Sequence, residues 1–293
     1  MNLLSIMGRA YQLQCKFHCR EAEALYRTEL TNKQRETGWV LAQMAKCVYE
    51  QSRYHDAVKL YEKMRKVEPY RLEGLEYYST CLWHLKDQHA LIFLSNQALQ
   101  KSLFAPETWC VVGNCYSLQR EHETAIKFFG RAIQLNQNFA YAHTLCGHEF
   151  VANEDYDSGK KCYQAALKAD SSHYNAWWGL GNISYKQEKF PEAHHHFQRA
   201  KEINERSAVL WTYLGMTLSN CDETVHALKC FECAEQLDPK RPLTKYQKVT
   251  VLMALDRLPE SLEVLHELKA LCPKEAPIYV TMGKIHRKLG DKK

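Results

Sequence analysis

The sequence contains no apolar run approaching the 18 residues that a membrane-spanning helix needs, so no span is expected. Near its start, Gly8 and Arg9 interrupt the stretch from Met1 to Ala10, which leaves no adequate apolar segment for a secretory leader. Turn-formers are scarce: eight prolines and twelve glycines leave no room for a long disordered linker in 293 residues. Excess charge is small as well. The 39 Lys+Arg against 34 Asp+Glu leave +5 with the signs interleaved, whereas a nucleic-acid binder wants a basic stripe. The most basic run, Lys284 to Lys293, reads as a solvated helix face. Also missing are a Gly-rich phosphate loop, an HExxH pair and a GxSxG elbow, so no enzyme, no cofactor and no metal is expected.

Cysteine is present, twelve times, but without framework spacing in a chain that reads as helical throughout. Cys146, Cys81 and Cys47 fall at core positions of the pattern below, so buried reduced thiols are the reading. Cys230 and Cys233 make a lone C-x-x-C with no second pair at zinc spacing. His194, His195 and His196 are consecutive on a helix and therefore point in three directions, which suits a polar surface better than a metal.

Between Pro106 and His173 two segments superpose at a fixed offset. In the first, Trp109, Val112, Gly113, Tyr116, Ala125, Phe129 and Ala132 fall at positions 4, 7, 8, 11, 20, 24 and 27 of a unit of about 34 residues. In the second, His143, Cys146, Gly147, Phe150, Gly159, Tyr163 and Ala166 take those places. Small residues at 8, 20 and 27 let two helices approach closely, and large ones at 4, 7, 11 and 24 fill the space around the contact. This is the tetratricopeptide pattern. One unit cannot bury its apolar face alone, so the expected fold is all-α: a right-handed α-α superhelix of about eight helix pairs plus a terminal helix.

The array is expected to be single, over residues 1–293, with units near 1–37, 38–71, 72–105, 106–139, 140–173, 174–207, 208–241 and 242–275 and a terminal helix at 276–293. Gly8 and Tyr11 set the register of the first unit, and Ala22, about two residues late, implies a longer turn near Lys16 to Arg20. In the third unit Ala90 comes one residue early, implying a short turn, and the helix around Leu91 to Leu99 is strongly apolar. Either local packing absorbs Leu91, Phe93 and Leu94 or another subunit covers them. Pro69, Pro239 and Pro273 stand where a second helix has ended.

In such an array the first helix of each unit lines the inner face, and positions 2, 5, 9 and 12 to 13 point into the groove. The central units place there Glu107, Cys110, Asn114 and Ser117; Tyr141, Thr144, His148 and Val151; Asn175, Trp178, Asn182 and Tyr185; and Val209, Thr212, Met216 and Ser219. Donors, acceptors and aromatic faces at regular intervals suit an extended peptide with a free carboxylate. Glu73, Glu76 and Glu107 add negative charge upstream, where a cationic side chain could dock.

The runs TGWVLAQMA, YSTCLWHLKD, GNCYSLQREHETAIKFFGRAIQ, AYAHTLCGHEF and HYNAWWGLGNISYKQEKF resemble the subunit-three (cell division cycle protein 27) family of the anaphase-promoting complex. Leu118 to His122 and Gly147 to Phe150 carry the likeness, because the repeat alone does not demand them. The resemblance implies a non-catalytic scaffold in a multisubunit ubiquitin ligase of mitosis, in nucleus and cytoplasm. Its repeats would receive the Ile-Arg tails of activator proteins and of a core subunit, alongside other subunits of the complex. It assigns groove roles to Asn114, His148, Trp178, Asn182 and Tyr185. The family's dimerising amino-terminal domain does not match any part of this sequence, which puts self-association by that route in doubt; binding to nucleic acid or membrane is not expected. Two alternatives stay open: a chaperone-binding adaptor, whose basic clamp is poorly represented at positions 5 and 9, and a substrate-presenting array serving a partner enzyme.

Overall fold

The computed structural model describes residues 3–290, and within them every regular element is an α-helix. In order these are α1 (Leu3–Cys15), α2 (Cys19–Thr28), α3 (Asn32–Arg35), α4 (Gly38–Glu50), α5 (Tyr54–Val67), α6 (Leu75–Leu85), α7 (Gln88–Lys101), α8 (Pro106–Leu118) and α9 (His122–Leu135). They continue with α10 (Ala140–Ala152), α11 (Tyr156–Ala169), α12 (Tyr174–Lys186), α13 (Phe190–Ile203), α14 (Ala208–Asn220), α15 (Thr224–Leu237), α16 (Pro242–Ala254), α17 (Leu258–Leu271) and α18 (Ala276–Leu289). Two compact units, residues 1–180 and 181–293, part within α12.

One turn type joins the helices of every pair. Phe17, Ser52, Lys86, Arg120, Glu154, Glu188, Asp222 and Asp256 all have φ between 57° and 63°, and from Ser52 onward they recur every 34 residues. The N–H of the following residue reaches back to the carbonyl five residues earlier, as in Arg53 to Val48 (3.2 Å), Glu121 to Tyr116 (3.0 Å) and Arg257 to Leu252 (2.9 Å). This is the Schellman closure, which satisfies carbonyls the helix end leaves over. A residue with a side chain gives up about 1 kcal/mol in the left-handed region. The backbone bonds and the packing of the second helix hold it there.

That packing centres on one ring per pair. A Cβ placed on Gly113 would lie 2.4 Å from the Phe129 ring, on Gly147 2.6 Å from Tyr163, on Gly181 2.7 Å from Phe197 and on Gly215 2.8 Å from Phe231. All four rings are fully buried. The absence of a side chain on the first helix therefore makes the space that the second helix fills. Tyr163 is gripped twice, since a Cβ on Gly179 of α12 would come within 2.4 Å of the same ring.

Three expectations about register need correcting. Gly8 and Tyr11 do not sit at the first helix–helix contact: Tyr11 is exposed, and nothing lies within 4 Å of a Cβ built at Gly8. Fully buried Ala10 and Ala22 hold the two small positions instead. The turn between α1 and α2 has ordinary length, and the extra residues lie further on, in the connection carrying α3. There the Thr31 backbone N–H donates to Gln34 Oε1 at 3.0 Å, half of a capping box. In the third pair Leu91, not Ala90, takes the buried position. The connection there is indeed short, only Lys86 and Asp87. Leu91 and Leu94 are absorbed locally, whereas Phe93 stays exposed.

The cysteines are all free thiols, and Cys47, Cys81 and Cys146 are buried. In the basic run at the end, Lys284, Arg287 and Lys288 are exposed on α18, and residues 291–293 lie outside the described residues.

Candidate functional site

In the first unit the leading helices α4, α6, α8 and α10 and the start of α12 stand in a row. Much of the polarity at their expected inner positions is used between them. Asn114 on α8 donates through Nδ2 to Ser79 Oγ (2.8 Å) and Thr80 Oγ1 (3.1 Å) of α6, and is only 3% exposed. Ser117, one turn later, accepts from Trp83 Nε1 (3.0 Å) and donates to Glu149 Oε1 (2.7 Å). The second Glu149 oxygen meets His122 Nδ1 at 2.7 Å. Tyr141 shares a 2.7 Å hydrogen bond with Thr80 and lays its ring 4.7 Å from that of Tyr77. Buried polar atoms need partners, and these have found theirs within the chain. Asn114, Ser117 and Tyr141 therefore differ from the open groove donors expected of them.

A second set of contacts spans the row. The Tyr174 hydroxyl, at the start of α12, donates to Glu50 Oε2 of α4 at 2.7 Å, and its ring meets Phe17 edge-on at 5.0 Å. Lys46 Nζ lies 4.7 Å over the Tyr77 ring, and Tyr49 packs 5.4 Å from that ring. Burial raises the Glu50 carboxyl above its ordinary value, opposed by the Tyr174 hydrogen bond and Lys46. Lys46 is held charged first by Tyr77, against the effect of burial.

His148, Tyr163 and Trp178 form the third cluster. His148 Nδ1 is 2.7 Å from the Tyr163 hydroxyl, and its ring meets Trp178 edge-on at 5.7 Å. Burial pushes the His148 imidazolium down to about 4, with His173 and His84 adding repulsion, so the ring is neutral at neutral pH. Asn175, one turn before Trp178, is half-buried.

The three upstream acids fare differently from one another. Glu73 is exposed and paired with Arg71. Glu76 is buried, accepts from the Gly74 backbone N–H at 2.9 Å and is raised to about 7, by burial foremost. It is no free anion. Glu107 is half-buried on the first turn of α8.

In the second unit Thr212 is fully buried and shares a 2.7 Å hydrogen bond with Thr244 of the next leading helix, so it too is interior. Tyr185 accepts from Asn220 Nδ2 at 2.9 Å and meets Phe190 at 5.7 Å, while remaining half-buried. Asn182 is half-buried as well. Among the described residues no group of three His, Cys, Asp or Glu side chains could hold a metal ion.

Lys46, Tyr49, Glu50 and Trp83 escaped the sequence reading, although the signal was available. Counted from Gly38, the first three stand at positions 9, 12 and 13, and Trp83 stands at 12 counted from Leu72. Tyr174 stands at position 1, which the rule omits.

Tetratricopeptide repeat family models match residues 106–139 and 147–208. The chain is 46% identical over 288 residues to cell division cycle protein 27 homolog B of Arabidopsis thaliana, covering 98% of this chain and 39% of that protein. It is 38% identical over 292 residues to anaphase-promoting complex subunit 3 of Schizosaccharomyces pombe, covering 100% of this chain and 44% of that one. This chain is homologous to the cell division cycle protein 27 family over most of its length. It spans about two fifths of the length of these curated relatives, 39% and 44%. A solved structure of Pseudomonas aeruginosa pilF aligns with a TM-score of 0.59 at 16% identity, over 64% of this chain and 85% of that one, and shares the fold.

Proposed function

We propose that this chain works as a non-catalytic scaffold in the anaphase-promoting complex ubiquitin ligase, in nucleus and cytoplasm. In this reading it binds other subunits of the complex and takes up carboxy-terminal tails ending in Ile-Arg from activator and core subunits. Homology at 46% and 38% identity running through virtually the whole chain carries the reading. The side chains left half-buried on the leading helices of the first unit support it: Glu107, His148, Asn175 and Trp178; the second unit, taken by itself, leaves Asn182 and Tyr185 half-buried. With the Tyr163 hydroxyl donating to Nδ1, neutral His148 offers Nε2–H to a carboxylate without the cost of burying a cation, the Trp178 face suits an isoleucine, and the acids of the leading helices, Glu107 and Glu50, suit an arginine.

Fluorescence titration of the purified chain with a labelled peptide ending in Ile-Arg tests this, beside its amidated form and a peptide ending in Glu-Val-Asp. Selective binding of the free Ile-Arg acid is expected, and Asn182→Ala should weaken it with little change in melting temperature. Preference for the acidic peptide would favour a chaperone-binding adaptor. Indifference to all three would remove the tail-binding reading.

A further inference from the structure

The first unit holds two hydrogen bonds that skip over whole repeats. Tyr141 and Thr80 are 61 residues apart, Tyr174 and Glu50 124 apart. A row in which each leading helix touched only its neighbours could make neither. The row curls until the start of α12 meets α4 and the turn at Phe17, and the facing side chains occupy the space between. Tyr77 sits at the centre, with Lys46 over its ring at 4.7 Å and Tyr141 against it at 4.7 Å.

This interior already contains the interactions that a cationic tail would make. Glu50 accepts a hydrogen bond from a tyrosine of its own chain, and the Tyr77 ring carries an ammonium of its own chain. An arginine fork supplies donors for a carboxylate and a flat cation for an aromatic face at once. We propose that the Tyr174–Glu50 contact is a self-closure of the first unit, which an incoming cationic side chain opens by replacing Tyr174 on Glu50 and Lys46 on Tyr77. The inference rests on the tail-binding reading for its ligand, but the closure itself rests on the contacts alone.

A ligand that must first break this contact binds more weakly by the fraction of time the unit stays closed. Tyr174→Phe keeps the ring against Phe17 and removes only the donor to Glu50. Losing a hydrogen bond to a carboxylate opens the closed state, so the variant should bind the labelled Ile-Arg peptide about tenfold more tightly or better. Without peptide, hydrogen exchange measured by mass spectrometry should quicken in residues 174–178 and 16–19 of the variant, while residues 208–220 exchange as before. Glu50→Gln, which keeps an acceptor but loses the charge, serves if Tyr174→Phe fails to fold, and should weaken the peptide's hold while loosening the same amides. Measurable and equal peptide binding by wild type and Tyr174→Phe, or unchanged exchange at 174–178, would overturn the closure. Faster exchange with no peptide bound by either protein would leave the closure standing and remove the tail-binding reading.

Discussion

The two units are built from the same helix pair and differ in how far their side chains reach. Among the described residues 181–290 the polar contacts join near neighbours: Thr212 with Thr244, Tyr185 with Asn220, and Lys245 with Glu235 and Glu267. Stability there should approach a sum of pair and interface contributions. Residues 1–180 add contacts between helices several pairs apart, Tyr174 to Glu50 and Tyr141 to Thr80. Identical repeats can therefore yield either a chain of semi-independent links or a body that stands or falls together, depending on a few long side chains at the inner positions.

The largest test of this contrast places the same lesion in each unit. Gly113→Leu and Gly215→Leu both drive a side chain into a buried ring, Phe129 or Phe231, and overpacking of this kind costs about 3 kcal/mol. Hydrogen exchange should show Gly113→Leu loosening α4 to α11 together, and Gly215→Leu loosening mainly α14 and α15 with the helices beside them. Equal spread in both variants would dissolve the contrast.

A smaller effect concerns pH. Glu76 is raised to about 7 from an ordinary 4.5, so the fold favours its protonated form. That contribution is complete below pH 4.5 and is lost as pH rises through 7. His148 and His173 are pushed down by burial to about 4, and theirs is complete above 6.5 and lost as pH falls through 4. Glu76→Gln should match wild type near pH 4.5 and exceed it at pH 8 by about 2–3 kcal/mol, read from thermal or denaturant unfolding of the first unit. A variant no more stable at pH 8 would show that the carboxylate is better solvated than its burial implies.

The smallest expected change is a gain. Arg120 adopts φ 63°, and Arg120→Gly relieves a left-handed residue at the cost of a looser unfolded chain, for a net gain of about 0.5 kcal/mol. Asp222→Gly in the second unit should give a similar small rise, since φ there is 62°. Circular-dichroism melts of the two variants would check both, and a loss of stability in either would mean that the side chain contributes through its surface contacts.

The helix pairs were legible because their determinants are local and repeat: Gly147 must leave room for Tyr163, and Gly215 for Phe231. The first pair misled because Gly8 imitates that small residue on the exposed face of α1, where Ala10 is the one in contact. The connecting turns gave no warning, since residues such as Lys86 and Glu154 carry no sign of a left-handed backbone in their side chains. The site was legible only as a row of positions. Periodicity states which face a residue shares and not what lies opposite. Thus Asn114 and Thr212 could be placed on the leading helices but not seen to be tied to a neighbouring one, Asn114 to the helix before and Thr212 to the helix after, and the meeting of Tyr174 with Glu50 had no signature at all.

Tyr163 is held by bare backbone on two sides, from Gly147 on α10 and Gly179 on α12, and its hydroxyl steers the His148 ring. One phenol thus acts as a rivet through three successive helices and as the bracket for an imidazole. Any slippage of α12 along α11 must turn that imidazole, so the alignment of His148 becomes a gauge of whether the neighbouring pair is seated.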